Sequence, residues 1–341
     1  MSRARVARRI ATAAAFGGGG ISLLGGAAVG VLLAEVRLAK RTVGGSDDVP
    51  PRADGRYGSA FAHRTGDVPL RLGFLGDSTA AGQGVHRARE TPGALLASGL
   101  AAVAERPVTL VNVANPGAQS NDLARQVALL LDVGAPPPDV CVIMIGANDV
   151  THRMPPAKSV RLLSDAVRRL REAGSEVIVG TCPDLGSVEP VYQPLRWVAR
   201  RMSRQLAAAQ TIGVVGLGGR SVSLGALLGP EFEAHPREMF GPDNYHPSAE
   251  GYATAAMALL PTLCSALGVW PEEDEHPDET RGEGFLPVAQ AAAAAASEGG
   301  TEVVAAAHGV FGSRGRWALL KYRRRQRLPH AAEPAASSTS A

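Results

Sequence analysis

Between Pro69 and about Trp270, short apolar runs rich in Val, Ile and Leu alternate with stretches of helical character. Leu70–Leu75, Val108–Ala114, Val140–Ile145, Glu176–Thr181 and Ile212–Leu217 read as strands. Pro92–Ala104, Asp122–Leu131, Ala157–Ala173 and Leu195–Gln210 read as the helices between them, and a helix from about Ser248 to Leu267 closes the series. Strands that are mostly continuous apolar runs have no face to offer water, so each must be covered on both sides. Parallel strands need a crossover of roughly a dozen residues or more, which the intervening helices supply. The pattern therefore predicts an α/β domain over residues 69–270, built on a parallel sheet with helices on both faces, and makes everything else an appendage.

The appendages differ in kind. Residues 1–42 carry Arg3, Arg5, Arg8 and Arg9, then no charge from Ile10 to Ala34, then Arg37, Lys40 and Arg41. About 20 apolar residues in a helix cross the hydrocarbon layer of a bilayer. The uncharged stretch is longer than the apolar part of a cleaved leader, and no A-x-A site precedes the polar segment. It reads as a single-pass transmembrane signal-anchor, although its glycines (Gly17 to Gly20, Gly25, Gly26, Gly30) make it a weak helix former. The leading basic cluster is the stronger and Glu35 dilutes the trailing one, which puts the N-terminus inside and the domain on the extracytoplasmic face. Residues 43–68, polar and rich in Gly and Pro, read as a linker. Residues 271–341 run from acidic (Glu272 to Glu283) through alanine-rich to basic (Arg314 to Arg327), present little to bury, and read as a low-complexity tail. The basic part also holds Trp317, Leu319, Leu320 and Tyr322, which leaves open contact with an anionic membrane surface.

Composition removes several functions. Aromatic residues make up 4% of the chain and the formal net charge is +3, so neither stacking platforms nor a polyanion-binding field points to nucleic acid. Cys141, Cys182 and Cys264 are far apart, with no CxxC pair, and read as buried small hydrophobes rather than as a zinc site or disulfide framework. No HExxH, Walker A or dinucleotide fingerprint is present, so no metal and no organic cofactor is implied. Gly213 to Gly219 is glycine-rich but comes at the fifth strand, too late for such a fingerprint. The Gly-x-Ser-x-Gly elbow of α/β-hydrolases is missing as well.

Four short elements remain, at or after the strand ends. Gly76-Asp77-Ser78 ends the first strand, Asn115-Pro116-Gly117-Ala118 follows the second, and Gly146-Ala147-Asn148-Asp149 follows the third. Asp243-Asn244-Tyr245-His246-Pro247 precedes the last helix. A serine just past the first strand stands where open α/β sheets place their ligands. Its hydroxyl is a poor nucleophile until a base accepts the proton, and an imidazole suits that task. His246 is the candidate base, and Asp243, three residues before it, is placed to hold its other ring nitrogen. Asn148 alone would also suit the cap of a helix starting near Asp149.

Taken together, in this order and spacing, the four elements resemble the Ser, Gly, Asn and His blocks of the SGNH hydrolase superfamily of GDSL-like lipases and esterases, from about Pro69 to Leu267. The resemblance implies a three-layer α/β/α sandwich of flavodoxin-like type with about five parallel strands. It further implies a catalytic Ser78, Asp243 and His246, with an oxyanion hole from the Ser78 and Gly117 backbone N–H groups and the Asn148 side-chain amide. The reaction it implies is hydrolysis of a carboxylic ester through an acyl-Ser78 intermediate, on a small-molecule or cell-envelope substrate such as an acylated lipid or glycan. Acyl transfer would use the same residues, and a membrane-tethered binding protein is the non-catalytic alternative. Asp149 reads as a loop-fixing residue, Asp184 and Glu189 as rim residues, and His86, His152 and His235 as surface or pocket-lining. The loops Gly82–Glu90 and Pro183–Gln193 are expected to shape specificity. Oligomeric state is left open.

Overall fold

The strands follow the period of their sequence. In β2 (Leu70–Gly76), Leu70, Leu72 and Phe74 face one side and Leu75 the other; in β4 (Val140–Met144), Val140, Val142 and Met144 alternate with Cys141 and Ile143. Both sets are buried, so the sheet has two cores, one on each face. The computed structural model describes residues 30, 34–38, 48–62, 68–131, 136–269 and 302–303. The chain divides into two units, residues 1–305 and 306–341, and every described residue lies in the first.

β2 pairs in parallel with β3 (Val108–Asn112) on one side and with β4 on the other. β5 (Glu176–Gly180) and β6 (Arg220–Val222) continue the parallel sheet outward from β4. A short antiparallel β1 (Gly55–Tyr57) borders β3, and β7 (Glu302–Val303) pairs in parallel with β6. The resulting order is β1-β3-β2-β4-β5-β6-β7. The five parallel strands at its centre have the doubly wound order of flavodoxin-like folds.

One core packs β2, β3 and β4 against α2 (Pro92–Ala104) and the long α9 (Ala249–Ala266) through Leu96, Leu100, Leu259 and Leu263. The other packs the same strands against α3 (Leu123–Leu131) and α5 (Pro156–Glu172) through Leu123, Val127, Leu163 and Leu170. The three cysteines are free and buried, and burial pushes the thiols of Cys141 and Cys264 up to about 12.

The structure corrects the fifth strand. Ile212–Leu217 is not extended: α6 runs from Leu195 to Val215, and the chain turns over residues 216–218 before β6. Leu206, Gln210 and Val214 recur every fourth residue on the buried face of that helix, while Ile212 is 75% exposed. The apolar run Ile212–Leu217 thus belongs mostly to the last turn of a helix and the turn after it, not to a strand. A Cβ on Gly213 would meet Val160 Cγ1 at 2.9 Å and Ser164 Oγ at 3.0 Å, so this glycine lets α6 lie close on α5. Sequence reading also passed over α7 (Leu224–Ala234), entered from Ser223.

Two segments read as appendages contribute to the sheet: β1 comes from the expected linker and β7 from the expected tail. Of the apolar stretch Ile10–Ala34, only Gly30 and Ala34 lie among the described residues. Among the described residues no helix is long and apolar enough to cross a membrane. Residues 34–38 are helical, and the Glu35 carboxylate accepts from the Leu195 N–H at the start of α6 (2.8 Å).

Candidate active site

β2 ends on a glycine for a steric reason. Gly76 has φ +140°, and a Cβ there would lie 1.9 Å from the Met144 carbonyl oxygen of β4. Its backbone is held at both ends by Gln126 of α3: the Gly76 N–H donates to Oε1 and its carbonyl accepts from Nε2, each at 2.8 Å. The chain then turns into α1 (Ser78–Ala81), whose first residue is Ser78. Asp77 caps it, accepting from the Thr79 N–H at 2.9 Å, and is itself 2% exposed. Burial pushes the Asp77 carboxyl up to about 6, against the lowering effect of that hydrogen bond and of His246.

His246 arrives on a tight loop between α8 (Pro236–Met239) and α9. The Gly241 N–H donates to the His246 carbonyl (2.7 Å), and Asn244 takes the left-handed conformation at φ +55°. Asp243 turns its carboxylate into this loop. Oδ1 accepts from the N–H groups of Tyr245 and His246, each at 3.0 Å, and Oδ2 lies 2.5 Å from His246 Nδ1. Burial alone would raise the Asp243 carboxyl, but the hydrogen bonds from His246 and Tyr245 outweigh it and hold it below its ordinary value. An ionised Asp243 keeps the proton of a neutral imidazole on Nδ1, which leaves Nε2 as an acceptor. Ser78 Oγ sits 2.9 Å from that Nε2. The serine, histidine and aspartate picked from sequence thus form one hydrogen-bonded chain, half-closed from solvent and assembled from opposite ends of the domain.

The other two predicted residues are joined to each other through their loops. Asn148 lies in α4 (Ala147–Thr151), which starts two residues earlier than the cap reading would have it, and its Nδ2 donates to the Ala118 carbonyl at 3.0 Å. Gly117 is exposed, at φ +79°, with nothing within 4 Å of where a Cβ would be. Its glycine is therefore set by backbone conformation rather than by crowding. The loop is tied to the nucleophile strand, since the Asn115 N–H donates to the Gly76 carbonyl at 3.1 Å.

Of the polar residues behind these loops, sequence reasoning found Asp149 and missed the rest. Asp149 is 1% exposed and accepts from the Ser120 N–H (2.9 Å), Ser120 Oγ (2.5 Å) and Ser159 Oγ (2.6 Å), which pins the Asn148 loop as expected for Asp149. Gln210 of α6 bridges the next two strand ends, donating to the Ile145 carbonyl (3.0 Å) and accepting from the Cys182 N–H (2.8 Å). The available signal was a glutamine at an apolar position of each helix, as in Leu123, Gln126, Val127 and Leu130. Asp184 is not a rim residue: it is buried, with Arg204 donating to its carboxylate at 2.8 Å and 3.0 Å. His86, His152 and His235 are all exposed.

Beside Ser78 opens an apolar cavity of about 80 Å³. The Pro183–Gln193 loop lines it through Leu185 and Val188, whereas the Gly82–Glu90 loop borders a separate, open groove with Arg237 and Asn244.

Comparison with known proteins agrees with this geometry. Residues 74–254 match the model of the GDSL-like Lipase/Acylhydrolase family. The chain is 44% identical over 263 residues to the GDSL-like esterase Rv1075c of Mycobacterium tuberculosis, covering 76% of this chain and 83% of that one. Among solved structures, LAE5, an alpha/beta hydrolase from the metagenome of Lake Arreo in Spain, superposes with a TM-score of 0.46 at 22% identity, over 59% of this chain and 96% of that one. Axe2, an acetylxylan esterase from Geobacillus stearothermophilus, does so with a TM-score of 0.45 at 21% identity, over 60% and 97%. On the first two matches, the chain belongs to the GDSL-like lipase/acylhydrolase family, and with it to the SGNH hydrolase superfamily.

Proposed function

We propose that this SGNH ester hydrolase works through an acyl-Ser78 intermediate, with His246 as its base and Asp243 as the group that orients and stabilises the imidazole. The observation that carries the reading is the unbroken chain from Ser78 Oγ through His246 to Asp243, at 2.9 Å and 2.5 Å. Oγ attacks the ester carbonyl carbon while Nε2 takes its proton. The tetrahedral intermediate puts negative charge on the former carbonyl oxygen. Donors to it are the Ser78 and Gly117 backbone N–H groups and Asn148, whose amide has two N–H bonds and spends one on the Ala118 carbonyl. Collapse breaks the bond to the alcohol oxygen, which leaves with the proton from Nε2. Water, deprotonated by His246 in turn, then releases the acid and restores Ser78.

The substrate in this reading is an acyl ester of a lipid or of a cell-envelope glycan, met outside the cytoplasm by a domain anchored through residues 1–42. The uncharged stretch Ile10–Ala34 between basic clusters supports the location. The test is hydrolysis of p-nitrophenyl butyrate by the full chain, with Ser78→Ala and His246→Ala beside it. Each substitution is expected to lower kcat by about four to six orders of magnitude, and Ser78→Ala to abolish labelling by a fluorophosphonate. Turnover that survives both changes would overturn the mechanism.

A further inference from the structure

The cavity beside Ser78 is lined in part by one helix, α7. It is lined by Ser78 and Thr79 and by Met144, Gly180, Leu185 and Val188. Leu224, Leu228 and Phe232 of α7 line it as well. These three are spaced four residues apart, so they form a single stripe on α7, and all are buried. The stripe is braced from behind. Leu224 lies against Gly180, where a Cβ would meet its Cδ1 at 2.7 Å, and Phe232 packs edge-on to Phe240 with ring centroids 4.9 Å apart. None of this packing is used by Ser78, His246 or Asp243.

We propose that this cavity is the acyl pocket and that α7 limits the acyl chain to about four carbons; the inference rests on the acyl-Ser78 reading above. A cavity of roughly 150 Å³ lined by apolar side chains holds a six-carbon ring. At about 80 Å³, this one has room for about three carbons beyond the carbonyl, by simple proportion. Each methylene that enters gains about fourfold in transition-state binding through burial. The gain stops at α7, since a further methylene must displace side chains that are themselves close-packed. Straight short-chain acyl esters, acetyl to butanoyl, are therefore the substrates this pocket selects, and long acyl chains are not.

The experiment measures kcat/KM of the full chain on p-nitrophenyl acetate, butyrate, hexanoate and octanoate, each preparation normalised by active-site titration with a fluorophosphonate. The unaltered protein is expected to peak at butyrate and to fall at least tenfold by octanoate. Phe232→Ala opens the α7 wall and is expected to raise the octanoate-to-butyrate ratio at least tenfold. Ala255→Leu fills the pocket from α9, where Ala255 lines it, and is expected to cut butyrate about tenfold relative to acetate. Should Phe232→Ala fail to fold, Leu228→Ala carries the same expectation. Chain-length ratios that stay flat in the wall and filling variants would overturn the pocket assignment, as would an unaltered protein that takes octanoate as fast as butyrate. Turnover surviving Ser78→Ala would instead overturn the hydrolase mechanism, and the two failures are told apart by that single control.

Discussion

Asp77 is the neighbour of the nucleophile, yet its carboxyl faces the protein. It is buried, accepts one backbone N–H, and is held up to about 6 chiefly by desolvation. A folded-state value above the unfolded 3.8 means the native state prefers the protonated form. The stabilisation is complete below about pH 4 and is lost as pH rises through about 6, a change of about 3 kcal/mol. Asp77→Asn keeps an oxygen for the Thr79 N–H and removes the charge. Its stability relative to the parent is expected to improve by about 3 kcal/mol between pH 4 and pH 8 in urea unfolding; an unchanged difference would contradict the burial argument. Asp243 runs the other way, since its folded-state carboxyl is lowered: its contribution is present at neutral pH and lost on acidification. Asn148 is argued by its second N–H. Asn148→Ala is expected to lower kcat by about 10²–10³ with little change in KM, and a rise in KM alone would remove it from the oxyanion hole. At this scale the candidate residues were legible, because Ser78, Asp243, His246, Gly117 and Asn148 fall in short motifs, and hydrogen bonds join Ser78, His246 and Asp243 in the fold. The supports were not. Gln126 and Gln210 act through backbone atoms of distant strands, and a lone glutamine in an apolar stripe gives no hint of which carbonyl or N–H it will meet.

Among the elements, the long helices were readable because each is an apolar stripe with clear limits. α5 fell within a residue of its expected bounds, and α2 agreed, with Thr91 capping it through the Ala94 N–H. The misread element, α6, shows where periodicity fails. Its last turn is apolar on several sides, and its glycine serves contact between helices rather than a turn. That account makes a prediction of sign. On an exposed helix face, replacing glycine by leucine stabilises by about 0.5–1 kcal/mol. At Gly213 the new Cβ must push on Val160, a stiff β-branched side chain, so Gly213→Leu is expected to destabilise by about 1–3 kcal/mol. A stabilised variant in thermal or denaturant unfolding would show that α5 and α6 do not meet there. α7 escaped notice for a related reason. Leu224–Ala234 contains two glycines and Pro230, which obscure its helical period, and its buried stripe gains meaning only once the ends of β4 and β5 lie against it.

For the whole molecule, strand order does the assembling. With β2 central and β3 and β4 on either side of it, the connections leave β2 in opposite directions, and the crevice between them opens at the carboxyl ends of the strands. Ser78 follows β2, Gly117 follows β3 and Asn148 follows β4, so three loops converge on one place, while the loop before α9 brings His246 from far along the chain. The order of elements was legible; the edge strands β1 and β7 were not, since two or three residues in a polar or alanine-rich segment gain strand character only from the edge they meet. The same reasoning bears on the N-terminus. The Glu35 carboxylate accepts from the Leu195 N–H at the start of α6, so the helical residues 34–38 are tied to the domain. If the stretch Ile10–Ala34 spans a membrane, the full chain must stay with membranes after an alkaline carbonate wash. Each aspartate at the centre of such a span costs about 2.5–3.5 kcal/mol, and a glycine-rich helix has little margin to absorb two. Leu23→Asp with Leu24→Asp is therefore expected to move the protein to the soluble fraction while its ester turnover per mole, set by residues more than 50 positions along the chain, stays unchanged. A parent protein already released by carbonate would remove the anchor, and with it the reason to look for the substrate outside the cytoplasm.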